Sequence, residues 1–216
     1  MSAAQAQAVV LETDNRATAA MERSHLYGFL AAVFRTEPTV ELLAEIRKAP
    51  FQDALKAVGS DLADSLSGAS EKKLLEDLAV EYARLFLGPG NHVAPYAAIY
   101  LAGDGASLWG PETIWVKQFI EAAGFEYKAD YFDLPDHIAV ELEFMQEIAA
   151  NEAAALERQD LQHAETLQRI EEEFVTTHMA KWVPKFCRQV QNRAELPFYR
   201  VMACLTEDFI GSETAL

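Results

Sequence analysis

Thiols, basic side chains and uninterrupted apolar runs are what this sequence has least of, and each shortage closes a class of function. Its only cysteines, Cys187 and Cys204, lack CxxC spacing. That rules out a disulfide framework or a thiolate metal set and reads as reduced core residues in a reducing compartment. Lysine and arginine total 18 against 34 acidic residues, for a formal charge of −16. Such a field repels phosphate backbones, so no nucleic-acid partner is expected. It attracts a cationic peptide, although solubility alone also accounts for an acidic excess. The one long charge-free window, Leu85 to Gly103, contains Gly88, Pro89, Gly90, Asn91 and Pro95, which would expose backbone polar groups to lipid, so it is not a membrane span. No basic residue precedes Arg16, and Ala8-Val9-Val10-Leu11 is too short for a secretory signal. A cytoplasmic protein is expected.

Catalytic signatures are equally sparse. Gly88-Pro89-Gly90 and Gly103-Asp104-Gly105 do not match a phosphate-binding GxxxxGK[ST] loop, and there is no GxSxG elbow, HExxH pair or Cys/His cluster. Asp133, His137 and Glu141 are spaced by four and would share one helical edge, yet no facing Glu-x-x-His set completes a metal site. No enzyme activity, cofactor or metal is expected.

What is present is an ordinary globular composition, 50% hydrophobic, 10% aromatic and 24% charged over 216 residues. That is enough chain for one well-buried core. Residues 1–13 carry no periodic pattern and read as a flexible N-terminus; 14–211 read as a single all-helical domain. From Asp14, a plausible N-cap, apolar residues recur at three and four up to Phe34, and the helix should end before Pro38. Short helical pieces are expected over Val40–Lys48, Phe51–Val58 and Asp61–Leu66. Ser70 should cap a helix whose inner stripe is Leu74, Leu75, Leu78, Tyr82, Leu85 and Phe86.

Pro111 suits the first turn of a helix ending at Gly124, with Ile114, Trp115, Gln118, Phe119 and Ala122 facing inward. Tyr127–Phe132 is aromatic but too short and too charged to anchor a sheet. Asp133-Leu134-Pro135 opens the longest helix expected in the chain, running to about Arg158. Ile138, Leu142, Met145, Ile148 and Ala149 line one side and Glu141, Glu143, Glu147 and Glu152 the other. Asp160 should cap the next, with Glu171-Glu172-Glu173 as a solvated face, a break near His178 and a fresh start at Pro184. Pro197 opens the last, facing Tyr199, Met202, Leu205 and Phe209 inward. With no period-two strand, the fold class is all-α, a single-domain helical bundle.

Two places invite a functional reading. The Gly-Pro turn after Leu87 gathers Tyr82, Phe86, Tyr96 and Tyr100 around one bend, which is either a buried junction or a groove for an apolar guest. At the mouth of the long helix, Asp136 and His137 either cap it or recognise a ligand, with Glu141 one turn further on.

The runs EYARLFLGPG, APYAAIY, LPDHIAVELEFM and HMAKWVPKFCRQVQNRAELPFYRVMACLT, in that order between Ser24 and Thr206, resemble the TorD/DmsD/NarJ family of redox-enzyme maturation chaperones. The resemblance implies a TorD-like helical fold and a non-catalytic role. Members bind the leader peptide, often a twin-arginine signal, or the N-terminal segment of an apo-molybdoenzyme catalytic subunit until its cofactor is inserted. Carried over, Tyr82, Leu85 and Phe86, then Pro95, Tyr96 and Tyr100, then Asp136 and His137, become peptide-binding candidates, to which Glu141 is added. On that reading the aromatics border a groove while Asp136, helped by Glu141, faces guanidinium groups. Ala94-Pro95-Tyr96-Ala97-Ala98 lacks the hydroxyl that relatives often carry here, and Asp104 lies near where some relatives carry arginine, so the preferred leader can differ. A GTP-binding maturation factor and a stable accessory subunit are the alternatives, and monomer and helix-exchanged dimer are both open.

Overall fold

The computed structural model describes residues 3–48, 51, 70–88, 90, 92–103, 107, 109–126 and 134–214. The expected pieces Phe51–Val58 (beyond Phe51 itself) and Asp61–Leu66, the stretch Tyr127–Phe132, and Asp104 and Asp133 lie outside those residues. Among the described residues every regular element is a helix, as the all-α reading requires. No helix there is long and apolar enough to cross a membrane.

Helix α1 spans Ala3–Arg35, 33 residues, and so exceeds the 20-residue helix that starts at Ile138, the longest expected from the sequence. Asp14 is therefore inside the helix and not its N-cap; its carbonyl accepts from the Thr18 hydroxyl at 3.0 Å. Ala17, Ala20, Ser24, Tyr27, Ala31 and Phe34 are buried, a run spaced by threes and fours that forms one continuous seam. Small residues in that seam let α1 lie close along α6 (Ile138–Glu157), the most extensive packing in the fold. A side chain at Gly28 would collide with Gln146 at 2.6 Å, and Ser24 donates to the Gln146 carbonyl at 3.0 Å.

Thr39 caps α2 (Val40–Ile46) and Ser70 caps α3 (Glu71–Tyr82). The α3 chain continues through a π turn, Ala83–Leu87, before Gly88 ends it. Then come α4 (Ala97–Leu101) and α5 (Pro111–Ala122), the latter closed by Gly124 at φ 86°, a left-handed stop that suits glycine. His137 is the N-cap of α6, its Nδ1 accepting from the Ala139 amide at 3.1 Å.

Beyond α6, α7 (Leu161–Phe174), capped by Asp160, runs through a second π turn, Val175–Met179, into α8 (Ala180–Arg193). The break expected near His178 is thus a widened turn, and Pro184 sits within α8 rather than starting it. Helix α9 (Pro197–Glu213) closes the bundle. Cys187 is in the core as expected, whereas Cys204 is exposed on α9.

Two helix faces differ from the periodicity. In α5 the buried stripe is Thr113, Val116 and Ile120, leaving Ile114 and Trp115 exposed and Gln118 and Ala122 outside. On that stripe Thr113 hydrogen-bonds the Asp136 carboxylate. Glu152 and Glu171 are not solvated either. They close on Arg23 of α1 at 2.5 and 3.1 Å, with Glu213 of α9 at 3.5 Å. Burial is the leading cause that pushes the Glu213 carboxyl up to about 7, followed by the Glu171 charge, while Arg23 opposes.

Candidate functional site

The EYARLF run turns out to be a structural junction. Glu81, almost fully buried, takes Arg84 Nε and Nη2 at 3.0 and 2.9 Å and the amides of Glu195 and Leu196 at 2.6 and 3.2 Å. It thereby supplies the N-terminus of α9 with the acceptors that its own residues lack. The Tyr82 hydroxyl donates to the Phe34 carbonyl at 3.2 Å, and Arg84 to the Arg193 carbonyl at 2.7 Å. Phe86 sits among Phe34, Tyr82, Phe186 and Tyr199 with ring centroids 5.1 to 6.2 Å apart. Tyr82, Leu85 and Phe86 are 5%, 1% and 6% exposed. Of the two readings of the bend, this half is the buried junction: these three side chains do not wall an open groove, because they fill the space where α1, α3, α8 and α9 meet.

The second half is stitched to the mouth of α6. Tyr96 and His137 form an isolated antiparallel bridge, flanked by Ala97 N–H to Asp136 O at 2.9 Å and Ile138 N–H to Pro95 O at 2.8 Å. Asp136 Oδ2 accepts from the Ala98 amide at 3.0 Å, so Asp136 caps α4 rather than its own helix. Pro95 is buried. Tyr96, half-buried, stands edge-on to the His137 ring at 5.1 Å. Tyr100 is half-buried too, its hydroxyl donating to the Ala94 carbonyl at 2.9 Å and its ring stacked on Trp182 at 5.7 Å.

Glu141 lies one turn into α6, fully buried. Its Oε1 shares a 2.6 Å hydrogen bond with His178 Nε2, and its Oε2 accepts from Trp182 Nε1 at 3.0 Å. Burial raises the pKa of both Asp136 and Glu141, opposed at Asp136 first by the Ala98 amide and then by Thr113, and at Glu141 by His178 and Trp182. Both carboxylates are sealed from solvent, so neither faces an incoming guanidinium group. That expectation is corrected by their engagement with neighbours inside the fold.

What opens to solvent lies directly above them. Leu101, Pro111, Glu112, Trp115, Thr177, His178 and Lys181 line a cleft of about 400 Å³ between the end of α4, the first turn of α5 and the second π turn. Its floor, His178, is the residue held by Glu141, and Trp115 packs on His178 and Phe174 at 5.0 and 6.0 Å. Next to it in the chain, Trp109 and Ile114 are 61% and 46% exposed. Asp136 and Glu141 thus hold the walls without being walls: one fixes α4 and α5, the other positions His178. The periodicity missed this cleft because it turned Trp115 inward; Trp109 beside Gly110-Pro111 is the signal that could have found it. No cluster of three metal-ligating side chains occurs among the described residues.

Comparison with known proteins joins this geometry to a family. The sequence profile described as nitrate reductase delta subunit matches residues 39–188. The chain belongs to that family. It is also similar to the chaperone protein TorD of Shewanella piezotolerans, 26% identical over 207 residues that cover 88% of this chain and 90% of that one. TorD of Vibrio cholerae is 24% identical, covering 89% and 90%. Among solved structures, an Archaeoglobus fulgidus protein assigned to redox enzyme maturation superposes with a TM-score of 0.53 at 20% identity, over 88% of this chain and 93% of its own. At that identity the likeness speaks for the helical fold alone. The delta subunit profile includes the Gly-Pro turn, the Asp136-His137 corner and all of the cleft.

Proposed function

We propose that this chain is a cytoplasmic, non-enzymatic chaperone for the maturation of a molybdenum-cofactor oxidoreductase. It binds the leader peptide or N-terminal segment of the catalytic subunit before export or assembly. One observation carries the reading: an apolar cleft built on Leu101, Pro111 and Trp115, with exposed Trp109 and Ile114 beside it, on a chain of charge −16. An apolar surface left open on a charged body suits a guest that is both oily and cationic. Family membership and relatives named as TorD chaperones support the same reading. In it, Pro95, Tyr96, Tyr100, Asp136, His137 and Glu141 shape the cleft from beneath, and Tyr82, Leu85 and Phe86 anchor the helices that carry it.

Covering on the order of 400 Å² of apolar surface yields about 10 kcal/mol at ~25 cal/mol per Å². Ordering an extended segment takes back several kcal/mol, leaving roughly micromolar affinity, weak enough for release once the client matures. Titration of leader peptides against wild type and Trp115→Ala tests this. Binding should weaken about tenfold or more in the variant; equal affinity would move the site elsewhere. The family's description as a subunit gives a second reading, a stable accessory subunit. Purification of the mature oxidoreductase separates them, since a chaperone leaves and a subunit stays.

A further inference from the structure

Glu112 stands out among the cleft residues. It occupies the first turn of α5 and its carboxylate folds back over Gly110, where an added Cβ would lie 3.3 Å from Glu112 Oε2 and 3.0 Å from the Ser107 carbonyl. Oε2 is shielded from solvent and accepts no hydrogen bond from any described residue. The start of a helix favours an acid in the first turn, which explains a solvated carboxylate there but not one withdrawn from water without a donor. Such an oxygen is costly while it lacks a donor, and a turn of this half-buried side chain toward the cleft lets a donor on the guest reach it.

We infer that Glu112 is the acceptor for an arginine side chain of the bound segment, placed beside the apolar side chain that fills the Leu101–Trp115 cleft. The inference rests on the peptide-binding reading above and names the residue that selects within it. Lys181 lines the same cleft, so the lining has no acidic excess, and the cation is chosen by a local contact rather than by the overall field. Beside Glu112 Oε2 lies the Ser107 carbonyl, which accepts from the Gly110 amide at 3.0 Å and keeps a second lone pair; a carboxylate and a carbonyl together match the several coplanar donors of a guanidinium group better than the point charge of an ammonium. Asp136 and Glu141 are sealed from solvent and neither lines the cleft, which leaves Glu112 as its acid.

The test uses two short labelled peptides that share an apolar stretch and differ only in arginine against its neutral isostere citrulline, followed by fluorescence anisotropy. Wild type should prefer the arginine peptide about tenfold. Glu112→Gln should abolish that preference and leave the citrulline peptide unchanged, with an unaltered thermal midpoint showing that the fold is intact. Gly110→Ala, which pushes the carboxylate aside, should lower the preference too. An arginine preference that survives Glu112→Gln overturns the inference. A Trp109→Ser, Ile114→Ser double variant separates it from the parent reading. If both peptides weaken there while the arginine preference persists in Glu112→Gln, the cleft stands without Glu112; if neither weakens, the cleft itself falls and Glu112 with it.

Discussion

Apart from Glu81, two groups of buried carboxylates among the described residues are treated differently. Where α1, α6, α7 and α9 meet, Glu152, Glu171 and Glu213 close on the guanidinium of Arg23, and the neighbouring hollow holds only about 30 Å³. Where α4, α5, α6 and the second π turn meet, Asp136 and Glu141 are answered by a backbone amide, a threonine, a histidine and an indole. There an open cleft lies above. A fixed positive charge ties four helices together and leaves nothing to bind. An amide, a hydroxyl, an imidazole and an indole hold the second pair beside a wall that stays largely apolar.

Truncating the first region should do the most damage to stability and the least to binding. Arg23→Ala strands three carboxylates and should cost about 3 kcal/mol, read by denaturant unfolding, while leader affinity of the folded fraction is unchanged. Glu141→Leu should reverse the balance. It removes the acceptor of His178 and Trp182 at about 2 kcal/mol and, by freeing the cleft floor, weakens leader binding several-fold. Equal binding losses in the two variants would erase the distinction between the regions.

Acidity should stabilise both. Asp136, Glu141, Glu152 and Glu213 all have raised folded-state values, Glu213 to about 7. In each case the folded state binds protons more tightly than the unfolded chain, so the contribution is complete below the ordinary carboxylate range and is lost as pH rises through the folded values. The thermal midpoint should therefore climb on going from about pH 8 to about pH 6; a flat or falling midpoint contradicts the burial assigned to these groups. A smaller effect belongs to Tyr82→Phe, which deletes the bond to the Phe34 carbonyl and should cost about 1 kcal/mol with no change in leader affinity.

Most of the helical order was legible because apolar spacing and caps agree locally: Ser70 and Asp160 cap the helices expected of them, and the stripe from Leu74 to Phe86 is buried except for half-buried Leu75. What could not be read was set by contacts distant in sequence. On the buried stripe of α5, Thr113 meets Asp136; the burial of Glu171 depends on Arg23 lying 148 residues away, and the widened turn at His178 on a partner in α6. The same limit governed the site. The motifs marked Asp136, His137 and Glu141 as special, yet local pattern cannot tell a side chain that touches a guest from one that holds the wall behind it. The stripe count turns Trp115 inward because local periodicity does not show which apolar side chains the fold leaves exposed at a cleft.

Photo-crosslinking of a leader peptide carrying a reactive group in its apolar stretch tests the central claim most directly. Crosslinks are predicted on Trp109, Ile114, Trp115 and Lys181, around the cleft held up by Asp136 and Glu141. Crosslinks confined to Tyr82, Leu85 and Phe86 would mean that the aromatic junction opens to take the peptide, and would contradict the account.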